Sequence, residues 1–478
     1  MALVLGIDSS TQSTKVEARD IATGVVVARG NAAHPPTTPP VSEQDPVAWW
    51  AALTEAITQL GDHRADVVAM SVAGQQHGLV LLDSDGVPLR PAKLWNDTTS
   101  APQADRLVGA LGAEHWAAAT GSVPVAAFTI TKLAWVADHE SELLGRVARV
   151  MLPHDYLTWR LTSRHVTDRG DASGSGWYDP TGGTVLADLL GEAVGGHGNT
   201  WLDRLPTVLG PTETAGTIVP EAAEELGLPT GIVVGPGSGD NMGAALGLGL
   251  QSGDVAISLG TSGTVFAVSD TATHDPSGAV AGFASAGGNY LPLVCTLNAT
   301  KVTDTVARWL GTDAPGLAEL ALTTIDDPGS ALLVPYFDGE RTPNLPDATG
   351  TFVGLTTTTT RAQLALGAHD GVLCGLLNGV DALRRVGATI DGRVFLIGGG
   401  SRSVAYRQRC ADLLGQTITV PDSDETVAAG AAVQAAAVFG TDDLDVVSTR
   451  WSLGAGTDVS PVVDGSAIRQ RYATESVR

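Results

Sequence analysis

Apolar residues open the chain in one tight run, Leu3-Val4-Leu5-Gly6-Ile7, which stops at Asp8 and a hydroxyl-rich stretch, Ser9-Ser10-Thr11-Gln12-Ser13-Thr14. The pattern predicts a strand, a small turn and a second strand, with a further hairpin signal at Thr23-Gly24 before Val25-Val26-Val27. After a proline-rich loop from Pro35 to Pro40, Asp45-Pro46 reads as an N-cap and first helical residue. Val47, Trp50, Leu53, Ile57 and Leu60 continue at helical spacing. Val67-Val68-Ala69-Met70-Ser71-Val72 is a buried strand ending at Ala73-Gly74-Gln75-Gln76-His77-Gly78. In an α/β sheet such a strand end is where ligands sit.

From about 100 to 230 helical periodicity (Leu133, Val136, Leu143-Leu144) alternates with glycine-rich loops such as Gly195-Gly196-His197-Gly198, the reading of an insertion that shapes a pocket. The opening pattern then returns. After Asp254 a strand meets the turn Gly260-Thr261-Ser262-Gly263-Thr264, and a strand follows. A long helical segment spans Ala362 to Val386, and the strand Val394-Phe395-Leu396-Ile397 runs into Gly398-Gly399-Gly400-Ser401. The alanine-rich stretch from Thr426 to Phe439 reads as a core helix packed closely on a neighbour. The threonine run from Thr356 to Thr360 is β-prone or loop and is given no function.

Glycine lets a backbone approach a ligand closely, and main-chain N–H groups and Ser/Thr hydroxyls donate to phosphate oxygens without bulk. Two such turns, each opening one half of the chain, predict a duplicated α/β fold that holds one polyphosphate from both sides. The length, 478 residues, agrees with two domains of comparable size.

The formal charge of −24 argues against a nucleic-acid or anionic-membrane surface, because no basic stripe is present to release counterions. It also constrains a phosphate binder. Backbone donors, helix N-termini and a divalent cation, Mg²⁺, must supply the positive field that side chains lack. Cys295, Cys374 and Cys410 show no metal-binding spacing and read as buried free thiols. No basic residue precedes Lys15, which does not suit a signal peptide, and no run of 18 apolar residues occurs. A reducing cytoplasm is the expected location.

Asp8, at a strand end before a hydroxyl turn, is placed to hold a hydrated Mg²⁺ against phosphates, and also to begin a turn and cap its own backbone. Asp240, in the glycine-rich loop Gly235-Pro236-Gly237-Ser238-Gly239-Asp240-Asn241, is suited to accept the proton of an attacking hydroxyl, or to cap the helix that follows, or both. Gln75, Gln76 and His77 crowd donors and acceptors into one loop, as recognition of sugar hydroxyls requires. Trp95-Asn96-Asp97 offers an aromatic face beside polar groups, or a surface turn. There is no Walker A motif and no convincing dinucleotide fingerprint.

These residues resemble a known family, the FGGY carbohydrate kinases. The resemblance runs through GIDSSTQSTK at 6–15, SEQDPVAWW at 42–50, AGQQHG at 73–78, LWND at 94–97, LPHDYLTWRLT at 152–162 and DASGSGWYD at 171–179. It continues through GSGDN at 237–241, SLGTSGTVFAVS at 258–269, PYFDGERTP at 335–343 and IGGGSRS at 397–403. It implies a two-lobed, duplicated actin-like ATPase fold on ribonuclease-H-like cores, with the active site in the interdomain cleft. Residues 1–246 would form the lobe for sugar and first phosphate turn, and 247–478 the nucleotide lobe.

The implied reaction moves the γ-phosphate of ATP to the 5-hydroxyl of D-xylulose, a different ketose or polyol such as glycerol or gluconate being the alternative. A sugar sensor that kept the fold without catalysis is a more distant one. By the same resemblance Asp240 is the proton acceptor and Asp8 the residue essential for Mg-ATP, holding the metal through water. Gln76, His77, Asp97, Asp240 and Asn241 would contact the sugar. The phosphates would lie between Thr11, Gln12 and Ser13 and the turn Gly260, Thr261, Ser262 and Gly263, with the adenosine near Gly399, Gly400 and Ser401.

The chain departs from the family pattern in three places. Thr98-Thr99 replaces an arginine after LWND and implies that a charged contact near the pocket is lost, Gln76 stands where some relatives have methionine, and Asp370 where glutamate is commoner. A homodimer is left open by the apolar faces expected on an α/β lobe.

Overall fold

The computed structural model describes residues 1–423 and 425–476. The chain forms two compact units. The first comprises Met1–Leu250, His274–Leu291 and Glu425–Leu453, and the second Gln251–Thr273, Pro292–Asp424 and Gly454–Arg478. Compactness therefore cuts the chain differently from the division at 246/247, because the alanine-rich helix Thr426–Gly440 belongs with the N-terminal sheet.

In the first unit the strand Leu3–Ser9 pairs antiparallel with Ser13–Asp20, which pairs antiparallel with Val26–Ala33. On its other side Leu3–Ser9 runs parallel to Val67–Gly74, which in turn is parallel to the short strands Val233–Val234 and Ser238–Gly239. The period of two explains why the opening strand is apolar throughout. Leu3, Leu5 and Ile7 join a core with Trp49, Leu53 and Ile57 on one face, while Val4 joins Ala69, Ala432 and Ala436 on the other. Gly6 is required there: a Cβ on it would lie 1.8 Å from the carbonyl oxygen of Ala428.

The helix Pro46–Thr58 begins as expected, with Asp45 accepting from the Val47 N–H at 3.0 Å and Pro46 at its first position. It stops at Thr58, so Leu60 is buried beyond its end, before a short 3₁₀ turn at Gly61–Asp66.

The second unit repeats the first pattern. Val255–Leu259 pairs antiparallel with Gly263–Ala267, which pairs antiparallel with Tyr290–Thr296, and Val255–Leu259 is parallel to Val394–Ile397. Ile418–Pro421 and Gly456–Val459 extend the sheet. The long helix Arg361–Arg385 opens on a capping box in which Thr360 accepts from the Gln363 N–H and the Gln363 side chain accepts from the Thr360 N–H. The threonine run thus ends in the cap of that helix. Cys374 and Cys410 are buried free thiols, whereas Cys295, expected to be buried, is only half-buried.

Candidate active site

Strand register assembles the site of the first unit. Asp8 pairs with Ala73, and Ala73 also pairs with Ser238, so three parallel strand ends lie side by side. Asp8 ends the first, Gln75-Gln76-His77 follow the second and Asp240 follows the third. This is the carboxyl edge of a parallel sheet, where ligands are expected.

Asp8 is 4% exposed and accepts a hydrogen bond from the Ser10 hydroxyl. Burial raises its carboxyl to about 6, opposed by Ser10 and by the charge of Lys15. Lys15 is held by Glu425, whose Oε2 lies 2.7 Å from Nζ. The Lys15 cation acts on Asp8, but its partner Glu425 acts in the opposite sense. Lys15 carries no role in the sequence reading, although its position at the end of the hydroxyl stretch is the signal for one. The turn itself is closed by a hydrogen bond from the Ser10 N–H to the Ser13 carbonyl at 3.1 Å, and Gln44 Nε2 donates to the Thr11 carbonyl at 3.0 Å. Gln12 is exposed and Thr11 and Ser13 are half-buried, open to a ligand.

Asp240 is the first residue of the helix Asp240–Gly247 rather than its N-cap, which is Gly239. Its Oδ1 accepts from the Asn241 N–H at 2.8 Å and from Asn241 Nδ2 at 3.0 Å. Burial, and then the charge of Asp8, raise its carboxyl to about 7. Asn241 Nδ2 also donates to Gln76 Oε1 at 2.8 Å. Gln76 is buried, and its Nε2 has no partner.

His77 takes a left-handed backbone, φ 63°, which turns the chain after the strand. Its Nδ1 lies 3.0 Å from the Gly174 carbonyl oxygen, and its ring stacks on Phe128 with centroids 5.1 Å apart.

Asp97 is different. It is fully buried, and its Oδ1 accepts from Thr99 Oγ1 at 2.5 Å and Lys93 Nζ at 3.1 Å, while Oδ2 accepts from the Ser42 N–H at 2.9 Å. Burial opposes its ionisation, but these donors outweigh it and hold the carboxyl below its ordinary value. Lys93 also reaches Glu43 at 3.1 Å. The region around Thr98-Thr99, where loss of a charged contact was expected, thus holds a buried cation of its own. Trp95 is 39% exposed and its Nε1 donates to Thr11 Oγ1 at 2.9 Å.

Behind the site stands a buried group that sequence reasoning left without a role. His154 Nε2 lies 3.2 Å from Asp168, 3.3 Å from Asp155 and 3.5 Å from Asp171. Burial opposes its protonation, yet the three carboxylates win and raise it to about 9. A Cβ on Gly237 would lie 2.4 Å from His154 Nδ1, so the ring supports the loop that carries Asp240. Asp155 lies in LPHDYLTWRLT and Asp171 in DASGSGWYD, with Asp168 outside both, and neither motif shows locally that these acids meet one histidine.

In the second unit Ser258 pairs with Ile397, so the hydroxyl turn and the glycine turn leave adjacent parallel strands. The Gly260 carbonyl accepts from the Thr300 N–H at 3.0 Å and from Thr300 Oγ1 at 2.9 Å. Thr261 and Ser262 are exposed, Gly263 and Gly400 buried, and Ser401 is 7% exposed. Gly399 faces open space, since a Cβ there would meet nothing within 4 Å.

Two acids at one sheet edge, amide donors between them and a duplicated strand–turn–strand unit have a counterpart among known proteins. The N-terminal domain model of the FGGY family of carbohydrate kinases matches residues 3–247, and the C-terminal domain model residues 255–439. The chain belongs to the FGGY family of carbohydrate kinases. A xylulose kinase of Streptomyces rubiginosus is 48% identical, covering 95% of this chain and 92% of that protein. That of Streptomyces coelicolor is 47% identical over 99% of this chain and 94% of its own. The crystal structure of xylulose kinase from Bifidobacterium adolescentis has a TM-score of 0.88 and 41% identity, covering 99% of both chains. A gluconate kinase structure from Lactobacillus acidophilus, 24% identical, covers 100% of this chain and 97% of its own with a TM-score of 0.90. The FGGY fold alone therefore does not choose the sugar.

Proposed function

We propose that this chain transfers the terminal phosphoryl group of ATP to the 5-hydroxyl of D-xylulose, giving D-xylulose 5-phosphate and ADP. The observation that carries the reading is the register Asp8–Ala73–Ser238, which sets two carboxylates at one strand edge with Gln76, His77 and Asn241 beside them. Xylulose kinases at close to half identity over nearly the whole chain support the choice of sugar.

Asp240 receives the proton of the 5-hydroxyl while the sugar oxygen forms its bond to the γ-phosphorus. The bond from that phosphorus to the bridging oxygen breaks, and its electron pair leaves with ADP. Phosphoryl transfer passes through a loose transition state and needs alignment and charge neutralisation more than strong basicity. A carboxylate raised to about 7 is still ionised enough near neutrality to serve.

Gln76 and His77 orient the sugar, and Asn241 keeps the base and Gln76 in one frame. We assign the nucleotide to the hydroxyl turns at Thr11–Ser13 and Gly260–Gly263 and to Gly399–Ser401. Among the described residues no group of three or more His, Cys, Asp or Glu side chains is built to hold a metal ion. A buried carboxylate beside a hydroxyl, Asp8 with Ser10, fits a hydrated Mg²⁺ that takes its remaining ligands from water and phosphate. When bound, that ion would neutralise phosphate charge.

No helix among the described residues is long and apolar enough to cross a membrane. Burial pushes the Cys410 thiol up to about 12, and a reducing cytoplasm is the setting we propose.

A panel of sugars with coupled detection of ADP tests the reading. D-Xylulose should give the highest kcat/KM, well above glycerol and gluconate. ADP release independent of any sugar, or a clear preference for another acceptor, would overturn it.

A further inference from the structure

Gln75 lies between the two catalytic strand ends and is 1% exposed. Its backbone N–H donates to the Ser9 carbonyl at 3.0 Å, which fixes it against the strand that carries Asp8. Its side chain is fixed too. Trp95 Nε1 donates to Thr11 Oγ1 at 2.9 Å, and the Thr11 hydroxyl in turn donates to Gln75 Oε1 at 3.1 Å. That relay spends the carbonyl end of the amide on the Thr11 hydroxyl and leaves the NH₂ end beside the hydroxyl turn unused. Gln75 Nε2 is buried with no hydrogen-bond partner.

A buried amide with two unused donors is costly unless something at work in the site accepts from it. The adjacent Gln76 has the same unpartnered Nε2, but its Oε1 is tied to Asn241, next to the base. The two glutamines are therefore anchored to opposite partners, one to the phosphate turn and the other to the base and the sugar side. An acceptor for Gln75 has to be rich in oxygen lone pairs and has to arrive beside Thr11 and Asp8. The transferring phosphoryl group meets both conditions, and its equatorial oxygens carry charge in the transition state.

We propose that Gln75 is a catalytic residue that donates from Nε2 to an oxygen of the phosphoryl group in flight, while Gln76 donates to the sugar. The inference rests on the kinase reading above and assigns within it a donor that stabilises the transition state more than either bound substrate. Preorganised donors of this kind act where charge develops and need no reorganisation during the reaction.

The test uses the full-length enzyme with Gln75→Leu and Gln75→Met, the second preserving side-chain length while removing the donor without adding charge. Removing one such donor should lower kcat by about 10²-fold or more. The dissociation constants of ADP and of D-xylulose, measured by calorimetry, should stay within about twofold of wild type, because ground-state binding does not use the contact. Affinity for the dead-end complex of ADP, aluminium fluoride and xylulose, which mimics the phosphoryl group in flight, should fall in step with kcat.

Unchanged kcat in both variants overturns the proposal, and so does loss of xylulose affinity in parallel with kcat, which would make Gln75 a sugar donor. Should Gln75→Leu not fold, Gln75→Met decides by the same measurements. The wild-type sugar panel is read separately: if another sugar is preferred the substrate reading fails, and Gln75 is tested with that sugar by the same measurements.

Discussion

Asn241 donates from Nδ2 to Gln76 Oε1 at 2.8 Å and from the same nitrogen to Asp240 Oδ1 at 3.0 Å, so a single amide joins the Gln75-Gln76-His77 loop to Asp240. Asn241→Ala leaves the Gln76 carbonyl and the Asp240 carboxylate without that donor. Misplaced catalytic groups cost about 10²-fold. We expect kcat/KM for xylulose to fall by about that factor with the affinity for ADP unchanged, as steady-state kinetics and ADP titration would show.

Asp240→Asn removes the proposed proton acceptor. Sugar phosphorylation should fall by about 10²- to 10⁴-fold while ATP still binds. Near-normal turnover in this variant would exclude Asp240 as the base.

The same substitution should stabilise the protein. The folded carboxyl sits at about 7 against an ordinary 3.8, so between those values the folded state binds more protons than the unfolded chain. Stability then falls as pH rises through that window. The asparagine variant avoids this loss: its melting temperature should exceed that of wild type by several degrees above pH 7, and the gain should shrink as the pH drops toward 4. Equal melting curves at pH 8 would contradict the desolvated, charge-coupled position of Asp240.

With the base raised to about 7 by burial and by Asp8, kcat/KM should climb with pH and level off above that value, since only the ionised carboxylate accepts the proton. A rise centred near 4 in the pH–rate profile would mean that the base is an ordinary exposed carboxylate.

Asp97 has internal partners at both oxygens, Lys93 and Thr99 on one side and the Ser42 N–H on the other. Breaking a buried ion pair by removing one partner costs about 3–5 kcal/mol. Asp97→Ala should therefore lower the denaturation midpoint strongly. If stability is untouched and only KM for xylulose rises, Asp97 contacts the sugar instead.

How much was legible in the sequence follows from which interactions are local. Hydrophobic runs broken by Asp8 and by Gly260 were enough to find both strand–turn–strand units, because a strand's apolar faces and a turn's small residues lie within a few positions of one another. The same stretches revealed the acids and the amide-rich loop, and the motifs together pointed to the family. Tertiary structure decided what those residues face. It placed the helix Thr426–Gly440 with the N-terminal sheet and packed it on the helix Asp240–Gly247 so closely that a Cβ on Gly430 would lie 1.9 Å from the Gly243 carbonyl oxygen.

It also enclosed Asp97 with Lys93, gathered three acids around His154 and left Gln75 Nε2 without a partner. Lys93 and Asp97 are only four residues apart and His154 and Asp155 adjacent, but their burial, the approach of Asp168 and Asp171 and the setting of Gln75 depend on segments farther away in sequence. No local pattern encodes which side chains such register brings together, and the partners it supplies decide whether a carboxyl is raised to about 7, as in Asp240, or held below its ordinary value beside a lysine, as in Asp97.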